Sequence, residues 1–451
     1  MKRLLFLFVI VICVGTLLQF SNTVFAEGEE INEDEIFSGG DTVVSQEQVI
    51  KDNVDSELKD NHIGFSGQIS ANIGYYNDAK YYDDSTGIIK QLHDSDVLSN
   101  MMEFDLFMDI RLKQGVKGFL SVGGQYYPAL SESEKSKLGA DSTKDYYSGE
   151  IKEFFVDTNL QNKVYFRIGK QVLKWGQGYY WNPTDLINIE KKSFTDMDSI
   201  REGTYGIKTQ VPFGVKQNIY LFTDMQNTSD PGTVAQAAKY EFLVGGTEMS
   251  ISAWVKEGNK PVFGYDFTGR LGDVDLRGEM SLRDGSEYTL IDYNTLSSKD
   301  LSGQIIPRIC LGFTKAFDQG DIKDRISLTG EFYYNQAGYD RNIVKHVIES
   351  GNTNVQSQLL SSYSPYQNSK YYMALFSSVS KFWGPDTAFN FNVITNLVDN
   401  SAFLVTGLSY APTINNITIG FNIGCHVGDK YSEATLLGER YYLSLVTTIK
   451  F

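Results

Sequence analysis

The stretch Phe104-Asp-Leu-Phe-Met-Asp-Ile-Arg-Leu112 decides the fold class, because apolar and charged residues alternate along it. Positions 104, 106, 108, 110 and 112 are all apolar, whereas positions 105, 109 and 111 are Asp, Asp and Arg. Successive side chains of a β-strand point to opposite faces, so one face of this segment suits lipid and the other suits water. The pattern predicts a strand at a boundary between an apolar and an aqueous environment.

The same alternation recurs in residues 274–283, 326–332 and 416–423. A soluble β-sandwich would produce it too, so the lengths of the connections have to decide between the two architectures. About eighteen candidate strands lie between residues 63 and 451, with sixteen as the alternative count. Short turns such as Gln161-Asn162 and Gly245-Gly246 alternate for most of the chain with longer loops. The long loops are residues 79–100, 128–149, 173–203, 283–304 and 335–368.

This segregation predicts an all-β fold: a single transmembrane antiparallel β-barrel with long extracellular loops and short periplasmic turns. Three segments are expected. Residues 1–26 have the order of a secretory signal peptide, with Lys2 and Arg3 before an apolar run and Val24-Phe25-Ala26 at its end. Residues 27–62 form an acidic, flexible periplasmic extension, and residues 63–451 form the barrel. After residue 26 no apolar run has the roughly 18 to 20 residues that a spanning helix needs.

The charge and the cysteine content narrow the partners. The formal net charge is −16, and twelve Asp or Glu against two Lys lie in residues 27–60. A chain this acidic is not expected to bind nucleic acid. Two cysteines, Cys310 and Cys425, follow the signal peptide. Export permits a disulfide between them but no spacing requires one, so both states stay open.

Aromatic residues mark the strand ends and the C-terminus. Tyr pairs fall at strand ends, as membrane-interface aromatics do: Tyr75-Tyr76, Tyr126-Tyr127, Tyr333-Tyr334, Tyr371-Tyr372 and Tyr441-Tyr442. The last strand alternates and closes on Phe451. This ending resembles the signal by which outer-membrane proteins reach the barrel-assembly machinery. The resemblance implies a location in the bacterial outer membrane, with lipid, periplasmic chaperones and that machinery as partners.

Residues 163–188 read KVYFRIGKQVLKWGQGYYWNPTDLIN. This segment resembles a motif of Gram-negative outer-membrane barrels that include alginate-export-like porins: a strand ending in Arg-x-Gly-Arg/Lys-Gln, then Trp-Gly, then Asn-Pro. The matching positions are Arg167, Gly169, Lys170, Gln171, Trp175, Gly176, Asn182, Pro183 and Asp185. The resemblance covers 26 residues and implies no particular substrate.

The same segment predicts a strand followed by an ordered loop. Alternation places Arg167 and Gln171 toward the lumen, where Glu153 and Asp157 of the preceding strand would be neighbours of Arg167. The aromatic loop near residues 173–203 is expected to fold inward and narrow the lumen, with packing at the rim as the alternative. The candidate pore-lining or constriction residues are Arg167, Lys170, Gln171, Trp175, Trp181, Asp185, Glu153, Asp157, Asp105, Asp109, Arg111, Arg270, Arg277 and Glu279.

These features predict a porin-like channel for passive diffusion of small hydrophilic solutes, with no cofactor. The alternative is a plugged or narrow barrel with a structural or surface-binding role through its external loops. The four His fall in no nucleophile or metal-binding motif, so neither an enzyme nor a metal site is expected. The spacing of Ile343, Val344 and Val347 predicts a short helix over residues 341–350. The oligomeric state does not follow from the sequence.

Overall fold

A computed structural model describes residues 63–451 with short gaps. The gaps are residues 79–80, 84–88, 92–94, 113–115, 131–133, 136–137, 140–144, 174, 188–193, 195–200, 227, 229, 287, 413–415 and 438–440. The expected signal peptide (1–26) and acidic extension (27–62) lie outside the described residues, so both stay predictions.

Eighteen strands form one antiparallel sheet that closes on itself. In chain order they are β1 Ile63–Asp78, β2 Ser95–Leu112, β3 Val116–Tyr127, β4 Tyr146–Leu160, β5 Val164–Gln171, β6 Thr204–Pro212, β7 Gln217–Asp224, β8 Ala235–Val244, β9 Thr247–Val255, β10 Val262–Leu271, β11 Val274–Asp284, β12 Ile305–Gln319, β13 Ile322–Asn335, β14 Tyr371–Ser380, β15 Thr387–Asn396, β16 Ser401–Tyr410, β17 Ile417–Val427 and β18 Tyr441–Lys450.

Each strand pairs with its neighbours in the chain, and β1 closes the barrel against β18 with Ile69 opposite Ile449. The predicted closed barrel is confirmed with eighteen strands rather than sixteen. Because the strand count is even, both ends of the barrel sheet lie at the same rim, that of the short turns. Long-loop strands start earlier than alternation suggested: β2 begins at Ser95 and β4 at Tyr146.

The short turns are formed by residues that accept a left-handed backbone. Gln161 and Asn162 have φ angles of 55° and 54°, and Gly245 has 62°. Positive φ in the turn matches the right-handed twist of the two strands that a tight hairpin joins. The turn residues therefore fix the strand register at this rim, which we call the short-turn rim.

The opposite rim carries the long loops and the short helices. The helices are α1 Ile343–Glu349, α2 Thr353–Ser362 and α3 Glu433–Leu437, and a 3-10 turn spans Pro231–Thr233. Two small ribbons pair Tyr81–Asp83 with Ile89–Gln91 and Leu290–Ile291 with Ser298–Lys299. Helix α1 confirms the helix predicted near residues 341–350. Within the described part of the chain, no helix is long and apolar enough to cross a membrane.

The outer face of the barrel is apolar, as a lipid-facing surface requires. Large apolar side chains on this face are exposed, among them Ile69, Phe104, Phe263, Leu311 and Phe421. The Tyr pairs lie at the long-loop rim, but strand alternation divides the best-defined ones between the two faces. Tyr371 is 39% exposed, whereas Tyr372 is completely buried. The prediction that these tyrosines lie at the membrane interface therefore applies to only one ring of such a pair. The other ring points into the barrel.

Candidate channel constriction

A row of charged side chains crosses the lumen face of five neighbouring strands. The register places Arg111 of β2 opposite Lys117 of β3, and Lys117 opposite Asp157 of β4. Asp157 stands opposite Arg167 of β5, which stands opposite Lys208 of β6. At strand spacings near 4.8 Å the row spans about 20 Å. We call Arg111, Lys117, Asp157, Arg167 and Lys208 the charged row.

Arg167 and Asp157 form a bidentate ion pair within this row. Arg167 Nε donates to Asp157 Oδ1 at 2.7 Å, and Arg167 Nη2 donates to Asp157 Oδ2 at 2.9 Å. Asp157 is buried, and the Arg167 guanidinium lies 3.9 Å from the centre of the Phe155 ring. At the end of the row, Arg111 contacts Asp109 at 3.4 Å. The charged row carries four cations, and the two acids in or beside it, Asp157 and Asp109, offset two of them, so a smaller positive excess remains.

A β-bulge brings an additional cation into the lumen wall. Ser121 pairs with Glu153 and Val122 pairs with Ile151, which leaves Lys152 as the extra residue of β4. Lys152 Nζ lies 2.8 Å from Asp105 Oδ1, and Gln68 Nε2 donates to Asp105 Oδ2 at 2.9 Å. Glu153 remains on the same side and accepts a hydrogen bond from the Val172 backbone N–H at 2.8 Å. Asp105 and Glu153 therefore lie at the lumen face, next to a lysine that strict alternation had placed outside.

One expected lumen residue lies on the outer face. Lys170 pairs in register with Phe154 and Tyr205, both of which are exposed on the outside of the barrel. Its ammonium group contacts Glu202 at 2.6 Å. The expectation for Lys170 is therefore wrong, because neighbouring residues of a strand alternate and Arg167 and Gln171 face inward. Gln171 is on the inner side and completely buried, and its side-chain amide donates to the Gly169 and Gly206 carbonyls at 3.4 Å.

The loop after β5 packs against the lumen side of the barrel wall. We call residues 172–203 the inner loop. Glu331 of β13 accepts backbone hydrogen bonds from three consecutive residues of this loop: Tyr179, Tyr180 at 2.8 Å and Trp181 at 3.3 Å. Successive N–H groups that converge on one carboxylate form an anion-binding nest. The loop is thereby held to the wall by its backbone.

A second carboxylate, that of Glu279 on β11, binds loop residues on either side of the segment 179–181. It accepts hydrogen bonds from the Gly178 N–H at 2.5 Å, from the Thr184 N–H at 3.1 Å and from the Thr184 hydroxyl at 2.7 Å. A Cβ atom on Gly178 would lie 2.9 Å from Glu279 Oε1, so glycine allows the close approach. The Arg277 Nε atom lies 3.6 Å from Glu331 Oε1 and offsets part of the negative charge of the two glutamates.

Trp181 is buried near the long-loop end of the lumen. Its ring stacks on Tyr333 with 5.4 Å between centroids and an interplanar angle of 8°. Its indole N–H donates to the Tyr366 carbonyl of the loop between β13 and β14 at 2.8 Å. Phe194, farther along the inner loop, packs on Phe376 and Phe403. The inner loop thus reaches strands β13, β14 and β16.

Trp175 anchors the start of the inner loop at a different part of the wall. It belongs to a buried cluster with Tyr220, Phe222 and Ala237 of β7 and β8. Lys239 donates to the Trp175 carbonyl at 3.1 Å and lies 2.8 Å from Glu241. The inner loop therefore has buried contacts on both sides of the lumen, from β7 to β16, which matches the predicted inward fold rather than packing at the rim.

The remaining candidates lie either at the inner loop or at the short-turn rim. Asp185 of the inner loop is buried, and its carboxylate is 3.8 Å from Arg201. Arg270 pairs with Asp275 at 2.6 Å, but its side chain is 69% exposed at the short-turn rim. Arg277 and Glu279 lie beside the inner loop, to which Asp185 belongs, whereas Arg270 is far from it along its strand.

Three important lumen residues are not among the pore-lining residues predicted from the sequence: Glu331, Lys239 and Lys152. Alternation predicts that Glu331 faces the lumen, but the sequence does not indicate that three loop N–H groups converge on it. Lys239 occupies an inward position of a strand with little charge alternation. Lys152 reaches the lumen only through the bulge. Alternation alone could have predicted that Lys239 faces the lumen. No pattern in the sequence indicates which carboxylate binds the inner loop.

The structure describes two cysteines and two of the four histidines, and each of these histidines stacks on an aromatic ring. Cys310 and Cys425 are both free thiols, and Cys310 is buried at the lumen face. His346 stacks on Tyr293 and His426 stacks on Phe403, with centroids 4.1 Å and 4.0 Å apart. Across the described residues, no group of three His, Cys, Asp or Glu could hold a metal ion.

The chain has the fold of an outer-membrane porin, a closed barrel of eighteen antiparallel strands. The structure of Pseudomonas aeruginosa OccK8 (OprE) matches it with a TM-score of 0.50 and 9% identity, over 86% of this chain and 98% of that chain. Acinetobacter baumannii OccAB3 matches with a TM-score of 0.50 and 10% identity, over 86% of this chain and 99% of that chain. At such identities the likeness concerns the fold alone.

No protein-family model matches the sequence, and no curated protein matches it significantly. The resemblance of residues 163–188 to alginate-export-like barrels therefore stays a prediction, and the coarser likeness to outer-membrane porins is the one that the structures support.

Proposed function

We propose that the chain is a porin-like channel of the bacterial outer membrane through which small hydrophilic solutes diffuse passively. The observation that carries the proposal is the inner loop, bound through its backbone to Glu279 and Glu331 inside a closed eighteen-strand barrel. Barrels of 16 to 18 strands are wide enough to enclose an aqueous channel. A loop fixed inside such a barrel narrows the channel and sets its size limit.

The solute path in this proposal runs between the inner loop and the wall formed by β2–β5. Trp175 packs on β7 and β8, and Trp181 packs on β13 and β14. The facing wall carries the charged row and the Asp105–Lys152 pair. Trp175, Trp181, Asp185, Glu279 and Arg277 would form the loop side of the constriction. The residues that would line the wall or the entrance to it are Arg167, Glu153, Asp157, Asp105, Asp109 and Arg111. Gln171, which is completely buried, would support this wall without contacting the solute.

Swelling of proteoliposomes in sugars of increasing size tests the proposal. Refolded protein should admit monosaccharides and exclude larger oligosaccharides, because the inner loop reduces the free cross-section. Heat-modifiable, folded protein that admits neither ions nor sugars would contradict the channel and favour a plugged barrel with a structural or surface-binding role.

The same proposal includes the export and assembly of the chain. Residues 1–26 would direct passage through the inner membrane and be cleaved, and Phe451 would present the end of β18 to the barrel-assembly machinery. Support comes from the position of Phe451, which exchanges backbone hydrogen bonds with Gly67 of β1 at 2.8 and 3.0 Å beside the closure of the barrel. The proposal assigns no reaction, cofactor or metal to the chain.

A further inference from the structure

A carboxylate outside the membrane-spanning strands has a connection to the inner loop. Glu433 opens helix α3 in the loop between β17 and β18, and it is 1% exposed. It was not a candidate residue, because a single Glu in an external loop has no distinguishing sequence pattern. Its surroundings are buried aromatic and amide groups contributed by three other segments of the chain.

Four neutral groups donate hydrogen bonds to Glu433. The Tyr363 hydroxyl donates at 2.5 Å, the Tyr372 hydroxyl at 2.8 Å, the Tyr366 backbone N–H at 2.6 Å and the Asn396 side-chain amide at 3.0 Å. These donors come from the loop between β13 and β14, from β14 itself and from the end of β15. Glu433 therefore ties three external segments together.

Two of these donors lead directly to the inner loop. Tyr366 accepts the indole N–H of Trp181 at 2.8 Å through its carbonyl, while its own N–H donates to Glu433. The Tyr372 ring lies 6.0 Å from Trp181. Tyr366 therefore links Glu433 to Trp181, because its backbone N–H binds the carboxylate and its carbonyl binds the indole.

The titratable groups that face Glu433 are Tyr363, Tyr372, Asp399 and, at longer range, Tyr180. Asp399 accepts a hydrogen bond from the Glu433 backbone N–H at 2.7 Å, so it holds a second negative group close by. Burial raises the pKa of Glu433 to about 7, and the charge of Asp399 also raises it, although the hydrogen bonds lower it. Burial likewise raises the pKa of Tyr363, which keeps this donor protonated.

We propose that Glu433 is a positioning residue that fixes the inner loop through Tyr366 and Trp181 and makes release of this loop depend on pH. The inference rests on the proposed channel function. In the closed arrangement Glu433 is buried, whereas release of the external loops would expose it to water.

The direction of the pH effect follows from linkage. An exposed Glu titrates near its ordinary value, well below that of the buried group, so the closed arrangement binds the proton more tightly than the released one. Acidification therefore stabilises the closed arrangement, and release becomes easier as the pH rises toward and through about 7. Between about pH 8 and about pH 5.5 the release equilibrium should fall roughly tenfold or more.

Single-channel recording of the mature chain at these two pH values tests the inference. The wild type should spend a roughly tenfold larger fraction of time in a higher-conductance state at the higher pH. Glu433→Gln cannot ionise, and the Tyr363 and Tyr372 hydroxyls, unlike backbone N–H groups, can turn to accept from its NH₂ group. Its occupancy of the higher-conductance state should therefore stay low at both pH values. The matched control Glu349→Gln alters an external-loop acid of helix α1 whose side chain is 57% exposed, and it should keep the wild-type response.

Two further measurements test the inference if Glu433→Gln does not fold or if the protein shows no conductance. Asp399→Asn removes a charge that raises the pKa of Glu433, so the midpoint of the response should move to lower pH. A chain that keeps Trp181 as its only tryptophan reports loop release by acrylamide quenching without any need for conductance. Quenching should be stronger at high pH and lose its pH dependence in Glu433→Gln.

The outcomes separate the two proposals. A wild type that conducts with the same state occupancy at both pH values, or a Glu433→Gln variant that keeps the pH response, overturns the role of Glu433 and leaves the channel intact. Absent conductance contradicts the channel, and the quenching measurement then decides on Glu433 alone. Quenching of Trp181 that does not change with pH overturns the inference.

Discussion

At the scale of single residues, the carboxylate of Glu331 organises the turn of the inner loop. Three consecutive backbone N–H groups point at its two oxygens, and such charge-assisted hydrogen bonds contribute about 1.5–3 kcal/mol each. A glutamine keeps the shape but replaces one acceptor oxygen with an NH₂ group. That donor would face the donors of the loop.

We therefore expect Glu331→Gln to loosen the inner loop and raise the mean single-channel conductance, with the barrel still folded. The control is Asp275→Asn, which removes a carboxylate that pairs with Arg270 at the short-turn rim and should leave conductance through the inner-loop region near the wild-type value. Equal conductance of Glu331→Gln and wild type would show that the contact does not set the constriction.

Gly169 gives a second test at this scale. Its φ is +132°, and a Cβ atom there would lie 2.8 Å from the Phe155 Cα and closer still to the Phe154 carbonyl of β4. Gly169→Ala should destabilise the folded barrel by about 1–3 kcal/mol, seen as a lower midpoint of heat modifiability on gels. Gly420→Ala, at a site with open space, should have a much smaller effect.

Alternation predicts the faces of Arg167, Gln171 and Asp157 from the sequence alone. It fails for Lys152, because a bulge of one residue reverses the order, and a bulge leaves no clear mark in the sequence. Lys170 was assigned to the lumen through its place in the motif and against its own alternation. The strand geometry places it outside.

At the scale of strands, the charged row is a product of register. Its five residues lie on five strands and up to 97 positions apart in the chain, and they align because of the register of the whole sheet. Short turns set only two of the four strand offsets, since long loops join β3 to β4 and β5 to β6. The four cations of the charged row outnumber the acids Asp157 and Asp109 that pair with two of them, so this part of the channel should attract anions. The inner loop, in contrast, carries its own aromatic signal in the sequence, but its path depends on contacts with Glu279 and Glu331.

Replacing Lys117 and Lys208 together by Glu should therefore shift the ion preference of the channel toward cations. Reversal potentials across a planar bilayer with a salt gradient measure this preference. The control Lys216→Glu changes a lysine in the short turn between β6 and β7 and should shift the potential much less. A reversal potential unaffected by the double replacement would place the ion path away from the charged row.

At the scale of the whole molecule, closure of the barrel depends on the first and last strands. β1 and β18 pair from Gln68–Lys450 to Tyr76–Tyr442, and Phe451 follows directly on this seam. The fold class, the strand number and the rim of the long loops could all be predicted from the sequence, because each repeats along the chain. The interlocking of the external loops around Glu433 could not, because it joins single residues from distant loops.

Phe451→Ala should reduce the amount of barrel that reaches the outer membrane in cells several-fold, while refolding in detergent remains close to normal. The expectation follows if Phe451 acts in assembly rather than in stability, since its ring is 60% exposed. Phe421→Ala, another outward-facing aromatic residue, serves as the control. Equal losses in cells and in detergent would indicate a purely structural role.

The central claim is that an ordered inner loop narrows an open eighteen-strand barrel. Single-channel conductance of the refolded mature chain, compared with a variant in which residues 175–187 are replaced by a short Gly-Ser link, tests it most directly. The account predicts a stable conductance that rises in the variant. No conductance in either protein, although both are heat-modifiable and folded, would contradict it.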